Sequence, residues 1–385
     1  MSRIQELIKE KCPNGVQYKN YGDVFLIKTG KGITTKEAFS DGLYPIISGG
    51  TTPMGYYNQY NRNENTVTVS RVGANAGFVS FIKEKFYLND KCFSIVPVVN
   101  YANRLLPKFV FHYTKNIEKD IMKLQSEGGV PTINTQKVSN LLIPIPPLEV
   151  QEEIVRILDK FGELEAELEA ELEAELEARK QQYELLRRKL LNKNGNIKIS
   201  EYFTRLKGTC ITARKMKEIE VKNGDVRIFA GGQTKVDTNE DFIPKKDIIK
   251  VPSVLVQSRG LINFIYYDKP FSFKNEMWAY TCNNPITVKY LYYYLKDNID
   301  YFRMIGGQMG SMPQISLTVT ENFNIFLPNI EEQMRIVNIL DKFENLVNIL
   351  DEGIPAEIEL RKKQYEYYRN KLLDFRRLSD ENYEI

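Results

Sequence analysis

Read for reactive chemistry, the chain offers little. Its only histidine is His112, and its four cysteines, Cys12, Cys92, Cys210 and Cys282, lie far apart and never form Cys-x-x-Cys. Zinc sites and disulfide frameworks need closer ligand sets, so no metal site is expected and all four cysteines should be reduced and structural. His112 falls on an expected helix and is most simply structural, and a single histidine disfavours His-based catalysis. No Gly-x-x-x-x-Gly-Lys-Ser/Thr loop is present to cradle nucleotide phosphates. The Asn/Asp-Pro-Pro-Tyr/Phe type of segment used in amino-methyl transfer is also missing. Glu220-Val221-Lys222 fits the Glu-x-Lys half of a nuclease site, but no convincing Asp precedes it.

What remains is the chemistry of recognition. Arg, Lys, Asn, Gln, Ser or Thr at loop ends can reach base edges or phosphates. Arg71 and Arg259 lead the candidates, because both close a strand-like run beside Gly in corresponding places, as Ser70-Arg71-Val72-Gly73 and Ser258-Arg259-Gly260. A structural salt bridge is the alternative for both. Thr132, Asn134, Gln308 and Gln314 flank two Gly-rich loops, where turn capping is the alternative. Lys31, Arg62, Lys235, Lys245 and Lys246 are candidate phosphate contacts, or simply solvated. Tyr56-Tyr57, Tyr60 and Tyr292-Tyr293-Tyr294 are expected in a core or interface rather than stacked on bases.

Charge supports a polyanionic partner. The net charge of +3 hides a segregation: residues 1–147 hold 18 Lys+Arg against 11 Asp+Glu, and residues 193–327 hold 19 against 13. Residues 148–192 reverse this with 7 against 13, and 328–385 with 9 against 13. Two basic bodies joined by acidic spacers suit a polyanion that meets the bodies.

The elements that must position these residues are present twice. Pro147-Leu148-Glu149-Val150-Gln151-Glu152-Glu153-Ile154-Val155-Arg156-Ile157-Leu158-Asp159 returns 182 residues later as Asn329 through Asp341, and the offset holds to Leu190-Leu191 and Leu372-Leu373. Apolar positions recur at a helical spacing in both copies: Ile154, Leu158, Phe161, Leu164, Leu168 and Tyr183 in one, Ile336, Leu340, Phe343, Leu346 and Tyr365 in the other. A helix of about 44 residues is roughly 65 Å long and cannot bury such a stripe alone, so the copies are expected to pair as a coiled coil. Four Glu-Leu-Glu-Ala repeats fill 163–178, a strong helix former. Gly353-Ile354-Pro355 predicts a kink, or two helices end to end.

The bodies repeat as well. Ile46-Ile47-Ser48-Gly49-Gly50 matches Ile228-Phe229-Ala230-Gly231-Gly232, and Gly128–Ile133 matches Gly310–Ile315. Each body reads as neighbouring strands, 66–70 with 77–82 and 253–257 with 261–267, then a helix near 106–124 or 286–304, then the Gly-rich loop and a last strand. No stretch approaches eighteen uninterrupted apolar residues and the first residues carry no signal-peptide core, so a cytoplasmic protein with no membrane contact is expected.

These residues resemble the specificity (S) subunits of type I restriction-modification systems. The likeness rests on Ile4-Gln5-Glu6-Leu7 with Cys12-Pro13-Asn14-Gly15, Ile27-Lys28-Thr29-Gly30-Lys31, the Gly-Gly-Val-Pro-Thr-Ile-Asn loop, and Gln-x-x-Ile-Val-x-Ile-Leu-Asp with Arg-Lys-x-Gln-Tyr. The resemblance implies an α+β fold. Two similar mixed α/β target recognition domains, 1–147 and 193–327, would be separated by two long helical regions, 148–192 and 328–385, pairing as an antiparallel coiled coil with internal pseudo-two-fold symmetry. It implies that each domain reads half of a bipartite double-stranded DNA site and that the helices dock methyltransferase (M) subunits, in two copies, with restriction (R) subunits joining the complex. S-adenosylmethionine, ATP and Mg would then be bound by the partner subunits, with no cofactor here. The Glu-Leu-Glu-Ala run resembles the family's spacer-setting repeats in kind, not in letters. The competing readings are an enzyme on a recognition scaffold and a coiled-coil scaffold for proteins.

Overall fold

A computed structural model describes residues 3–126, 128–232, 234–308 and 312–378. The sequence readings that fall on Met1, Ser2, Gly310, Ser311 and residues 379–385 lie outside them. The chain forms two compact units, one of residues 1–171 with 356–385 and one of 172–355. Each holds one body and a part of both long helices.

In the first unit a four-stranded antiparallel sheet runs in the order Phe25–Thr29, Cys92–Pro97, Thr66–Ser70, Val79–Ile82. The expected neighbours are in register, Val67 opposite Phe81 and Val69 opposite Val79. A three-stranded sheet follows the order Tyr56–Tyr57, Tyr44–Ile47, Tyr87–Leu88, and Tyr18–Asn20 pairs with Leu142–Pro144. The second unit repeats this plan: Thr204–Leu206, Trp278–Thr281, Ser253–Gln257, Asn263–Tyr267 in one sheet, and Lys235–Thr238, Val226–Phe229, Phe271–Phe273 in another. Ile197–Lys198 pairs with Asn324–Ile325. The duplicated sequence therefore gives a duplicated fold.

The single helix expected near 106–124 is two, Pro107–Asn116 and Glu118–Met122, and its counterpart is Pro285–Asp297 and Ile299–Gly307. The breaks correspond: Ile117 and Asn298 both leave helical backbone, with ψ of 14° and 19°. Proline starts both first segments, where its missing donor costs nothing. Against the sheets these helices bury Phe109, Val110 and Tyr113 in one body and Val288, Leu291 and Tyr293 in the other.

The long helices are Leu148–Leu191 and Ile330–Leu373, each of 44 residues. Ile330–Leu373 is unbroken through Pro355, so two helices end to end do not form. Pro355 removes one donor to the Asp351 carbonyl. Ile354 beside it is buried and the Asp351 side chain pairs with Lys180, and these contacts hold the turn that Pro355 weakens.

Within each unit the helices run antiparallel. In the first, Phe161 stacks on Tyr368 at 5.8 Å and Glu169 pairs with Lys362 at 3.0 Å, so partners descend on one helix as they ascend on the other. In the second, Lys180 meets Asp351 while Tyr183 feels the charges of Glu344 and Asp341, the same progression. The seam is not uniformly buried. Ile154, Leu158, Ile336 and Leu340 are sealed against the bodies. Leu168, Tyr183, Phe343 and Tyr365 are half-buried, and Phe161, Leu164 and Leu346 stay exposed, contrary to a fully closed stripe. Among the described residues no helix is long and apolar enough to cross a membrane.

Candidate nucleic-acid interface

The second body carries a cleft of about 660 Å³ where its four-stranded sheet meets residues 314–317. Arg205, Lys207, Arg259, Gln314, Asn275 and Glu276 contribute polar groups to its wall, with Met277 and Trp278 beside them. Gly208 is required at its rim: a Cβ there would sit 2.0 Å from the Phe273 carbonyl oxygen. Gly30 stands in the same relation to the Leu88 carbonyl, also at 2.0 Å, so the first body builds its strand end the same way. Arg205 pairs with Glu321 at 3.4 Å and Lys274 with Glu276 at 3.0 Å. Among the described residues no carboxylate pairs with Arg259 or Lys207. Burial opposes ionisation of Glu276, but the Lys274 ammonium and neighbouring backbone amides hold its carboxyl below the usual range, and it is ionised at neutral pH.

Backbone hydrogen bonds clasp strand end to Gly-rich loop identically in both bodies. Gly73 N–H donates to the Pro131 carbonyl at 3.0 Å, and Gly260 N–H to that of Pro313 at 2.8 Å. Ile133 N–H donates to the Arg71 carbonyl and Ile315 N–H to that of Ser258, both at 2.9 Å. Gly73 and Gly260 take the left-handed backbone this turn needs, with φ of 103° and 71°.

These bonds correct the expected equivalence of Arg71 and Arg259. Arg71 matches Ser258, while Arg259 matches Val72: the residue bridged to Thr132 is Val72, and the one bridged to Gln314 is Arg259. Along extended backbone a one-residue shift turns the side chain to the opposite face. Arg71 accordingly is partly buried, its Nε out of contact with water and without an acceptor, whereas Arg259 is exposed on the cleft.

The remaining candidates divide. Thr132 and Gln314 are brought to the clasp beside Val72 and Arg259. Asn134 is a helix cap, its side-chain oxygen accepting from Gln136 N–H at 2.9 Å. Gln308 is exposed and closes the Ile299–Gly307 helix. Lys31 is exposed, its N–H bonded to the Leu88 carbonyl beside Gly30. Arg62 departs from its expected role. Its guanidinium donates to Ser94 Oγ at 2.7 Å and to the carbonyls of Asn61, Lys28 and Thr29, so it staples strands rather than reaching outward. Lys235, Lys245 and Lys246 are exposed but lie on the three-stranded lobe, and none lines the cleft.

The helix motif residues act at the joints between body and helix. Gln151, sealed from water, donates to the carbonyls of Arg104 and Pro146, both at 2.8 Å, and accepts from Leu106 N–H. Its counterpart Gln333 donates to the Pro328 carbonyl at 2.7 Å. Asp159 bonds His112 Nε2 at 2.8 Å, making His112 structural as expected. The cysteines are unpaired; Cys12 and Cys92 are buried, whereas Cys210 is exposed rather than structural. Sequence reasoning missed Glu276 and Lys207; the one local signal is that Lys207 stands beside Gly208 as Lys31 stands beside Gly30.

Comparison with known proteins places the chain. The family model described as the type I restriction modification DNA specificity domain matches twice, over residues 13–178 and 192–360. The specificity subunit of the type I restriction enzyme EcoR124I/EcoR124II of Escherichia coli is 34% identical over 300 residues, covering 71% of this chain and 72% of that protein. A putative type I specificity subunit of Mycoplasma pneumoniae is 30% identical over 354 residues, covering 84% of this chain and 97% of its own length. In fold, the chain is similar to a chain from a structural study of complex assembly and conformational transition of the type I restriction-modification system, with TM-score 0.67 at 17% identity, covering 94% and 98% of the two chains. The HsdS subunit from Thermoanaerobacter tengcongensis gives 0.58 at 16% identity, covering 94% and 97%. With two copies of its defining domain accounting for most of the sequence, the chain belongs to the family of type I restriction-modification specificity subunits.

Proposed function

We propose that each body reads one half of a bipartite duplex-DNA site through the loops that meet at its four-stranded sheet, and that the chain itself catalyses no reaction. The observation that carries this is the clasp: one backbone arrangement built twice, presenting different polar side chains. The bonds to the Pro131 and Pro313 carbonyls fix the scaffold, while Thr132 in one body and Arg259 with Gln314 in the other supply groups for base edges. Exposed Lys207 on the cleft and exposed Lys31 beside Gly30 suit phosphates, which position without specifying.

The long helices, with exposed Phe161, Leu164, Leu346 and Leu360 along them, are proposed to dock two methyltransferase subunits, restriction subunits joining through the assembled complex. S-adenosylmethionine, ATP and Mg would belong to those partners. The relation to complexes rests on what the similar solved structure is described as part of. The Glu-Leu-Glu-Ala copies are proposed to set the spacing of the half-sites, about 6 Å of helix per copy at 1.5 Å per residue.

Selection of binding sites from random DNA by the chain assembled with its methyltransferase tests this. Two short motifs at a fixed separation are expected, with affinity falling steeply with salt. Deleting one Glu-Leu-Glu-Ala copy should change the separation and leave both motifs' letters. Recovery of no split motif would sink the reading, as would methyl transfer by the purified chain alone.

A further inference from the structure

Beside the clasp, each body carries one more side chain in a matching place, and the two have opposite charge. The match is fixed by backbone bonds. Asn89 N–H donates to the Ile47 carbonyl and Lys274 N–H to that of Phe229, both at 2.9 Å. Three residues further, Cys92 N–H returns to the Asn89 carbonyl and Met277 N–H to that of Lys274. Lys91 and Glu276 thus occupy the same position. Both lie over the first glycine of the repeated Gly-Gly turn: a Cβ on Gly49 would meet Lys91 Cβ at 3.8 Å, and one on Gly231 would meet Glu276 Oε1 at 3.7 Å. Their carbonyls both face the strand end, accepting from Arg71 N–H in one body and from the Ser258 hydroxyl in the other.

We propose that this position is a base-reading residue in each body, Glu276 accepting from a cytosine amino group and Lys91 donating to a guanine. The inference rests on the DNA-reading role proposed above. A carboxylate in a wall that faces phosphates is repelled by them; Lys274 offsets this at Glu276 Oε1, at 3.0 Å, and a base donor that faces the carboxylate offsets it further. In the major groove the donors are the amino groups of cytosine and adenine. Adenine N7 is an acceptor beside its amino group and repels a carboxylate, whereas cytosine has no acceptor there. Guanine offers two adjacent acceptors, O6 and N7, which suit the Lys91 ammonium. Lys91 is exposed, and Glu276 lines the cleft with Arg259 and Gln314 as neighbours.

The test is site selection with the complex assembled from wild-type, Glu276→Gln or Lys91→Glu chains. Wild type should show a cytosine in the half-site that Glu276→Gln alters and a guanine in the one that Lys91→Glu alters. Glu276→Gln should lower the preference for that cytosine about ten-fold and leave the other half-site unchanged. Lys91→Glu should change its guanine in the other half-site alone. If the wild-type complex yields a split motif and both variants return it unaltered, or bind all sequences more weakly by one factor, the position is structural and the proposal fails while the half-site reading stands. If wild type yields no split motif, the half-site reading fails with it.

Discussion

The two joints where a long helix leaves its body share a plan and differ in chemistry. In the first unit Asp159 takes Lys108 and His112; in the second Asp341 takes Lys289 at 2.8 Å and the Tyr293 hydroxyl, which also donates to Glu344 at 2.9 Å. The returning helix is tied in both by an arginine, Arg369 Nε to Asn116 Oδ1 and Arg187 Nε to Asp297 Oδ1, each at 3.2 Å. Where the second joint has Glu344 the first has Gly162, at the edge of a cleft of about 740 Å³ that His112 and Asp159 also line. The duplicated backbone preserves the geometry of attachment. The side chains decide how each attachment responds to protons and how fully it is packed.

The largest effects should be equal at the two joints, because both are sealed by a leucine from the repeated motif. Leu158 and Leu340 are fully buried, and Leu158→Ala or Leu340→Ala should each cost about 2–5 kcal/mol in urea denaturation of the full chain. Losses differing by more than that range would break the equivalence. The hydroxyl of Tyr293 should come next. Burial first, then the carboxylates of Asp341 and Glu344, drive its pKa far up, so it stays a donor at every working pH. Tyr293→Phe removes one donor shared between two carboxylates, which keep Lys289 and the Tyr292 hydroxyl, and should cost about 1.5–3 kcal/mol, a loss with no equivalent in the first unit.

Proton dependence sharpens the contrast. Burial lowers the pKa of His112, although Asp159 pulls the other way, so the folded joint prefers neutral imidazole. On acidification the unfolded chain takes up this proton near its ordinary value of about 6.5, before the folded chain does, and stability falls as pH drops through that value. Asp159 is also partly desolvated, yet Lys108 and His112 hold its carboxyl low. It therefore adds stability above about 3.9 that is lost only in stronger acid. Denaturation midpoints between pH 7.5 and 5.5 should decline for wild type and flatten for His112→Tyr, which installs the second joint's residue type. An unchanged decline would assign it to other groups.

Much of this was legible in the sequence because buried helical stripes and backbone turns leave periodic marks. The 182-residue offset found both long helices, and the antiparallel strands 66–70 and 253–257 followed from their β-branched runs. The face on which a side chain emerges was not legible. Arg71 and Arg259 look alike as letters beside glycine, but the clasp shifts them by one residue and turns one inward. Arg62 read as a surface cation because its acceptors on Ser94, Lys28 and Thr29 lie more than thirty residues away, which no local pattern announces. Pro355 read as a break because local propensity knows nothing of the Lys180–Asp351 pair packed beside it.

The smallest expected effect separates a weakness of the helix from a feature of the joint. Gly162 and Gly353 both interrupt long helices with ordinary backbone, and a Cβ at either would meet nothing within 4 Å. Helix propensity alone says that Gly162→Ala and Gly353→Ala should each raise stability by about 1 kcal/mol, read as a higher urea midpoint with unchanged slope. Gly353 lies outside the cleft that Gly162 lines, so its substitution is the control for helix propensity alone. Gly162 lines that cleft at the position where the other unit carries Glu344, and methyltransferase titration of the two variants tests whether the opening is used. Equal affinities would make Gly162 a simple helix defect; a stabilised Gly162→Ala chain that binds methyltransferase more weakly would mark the opening as the place where the two joints part in function.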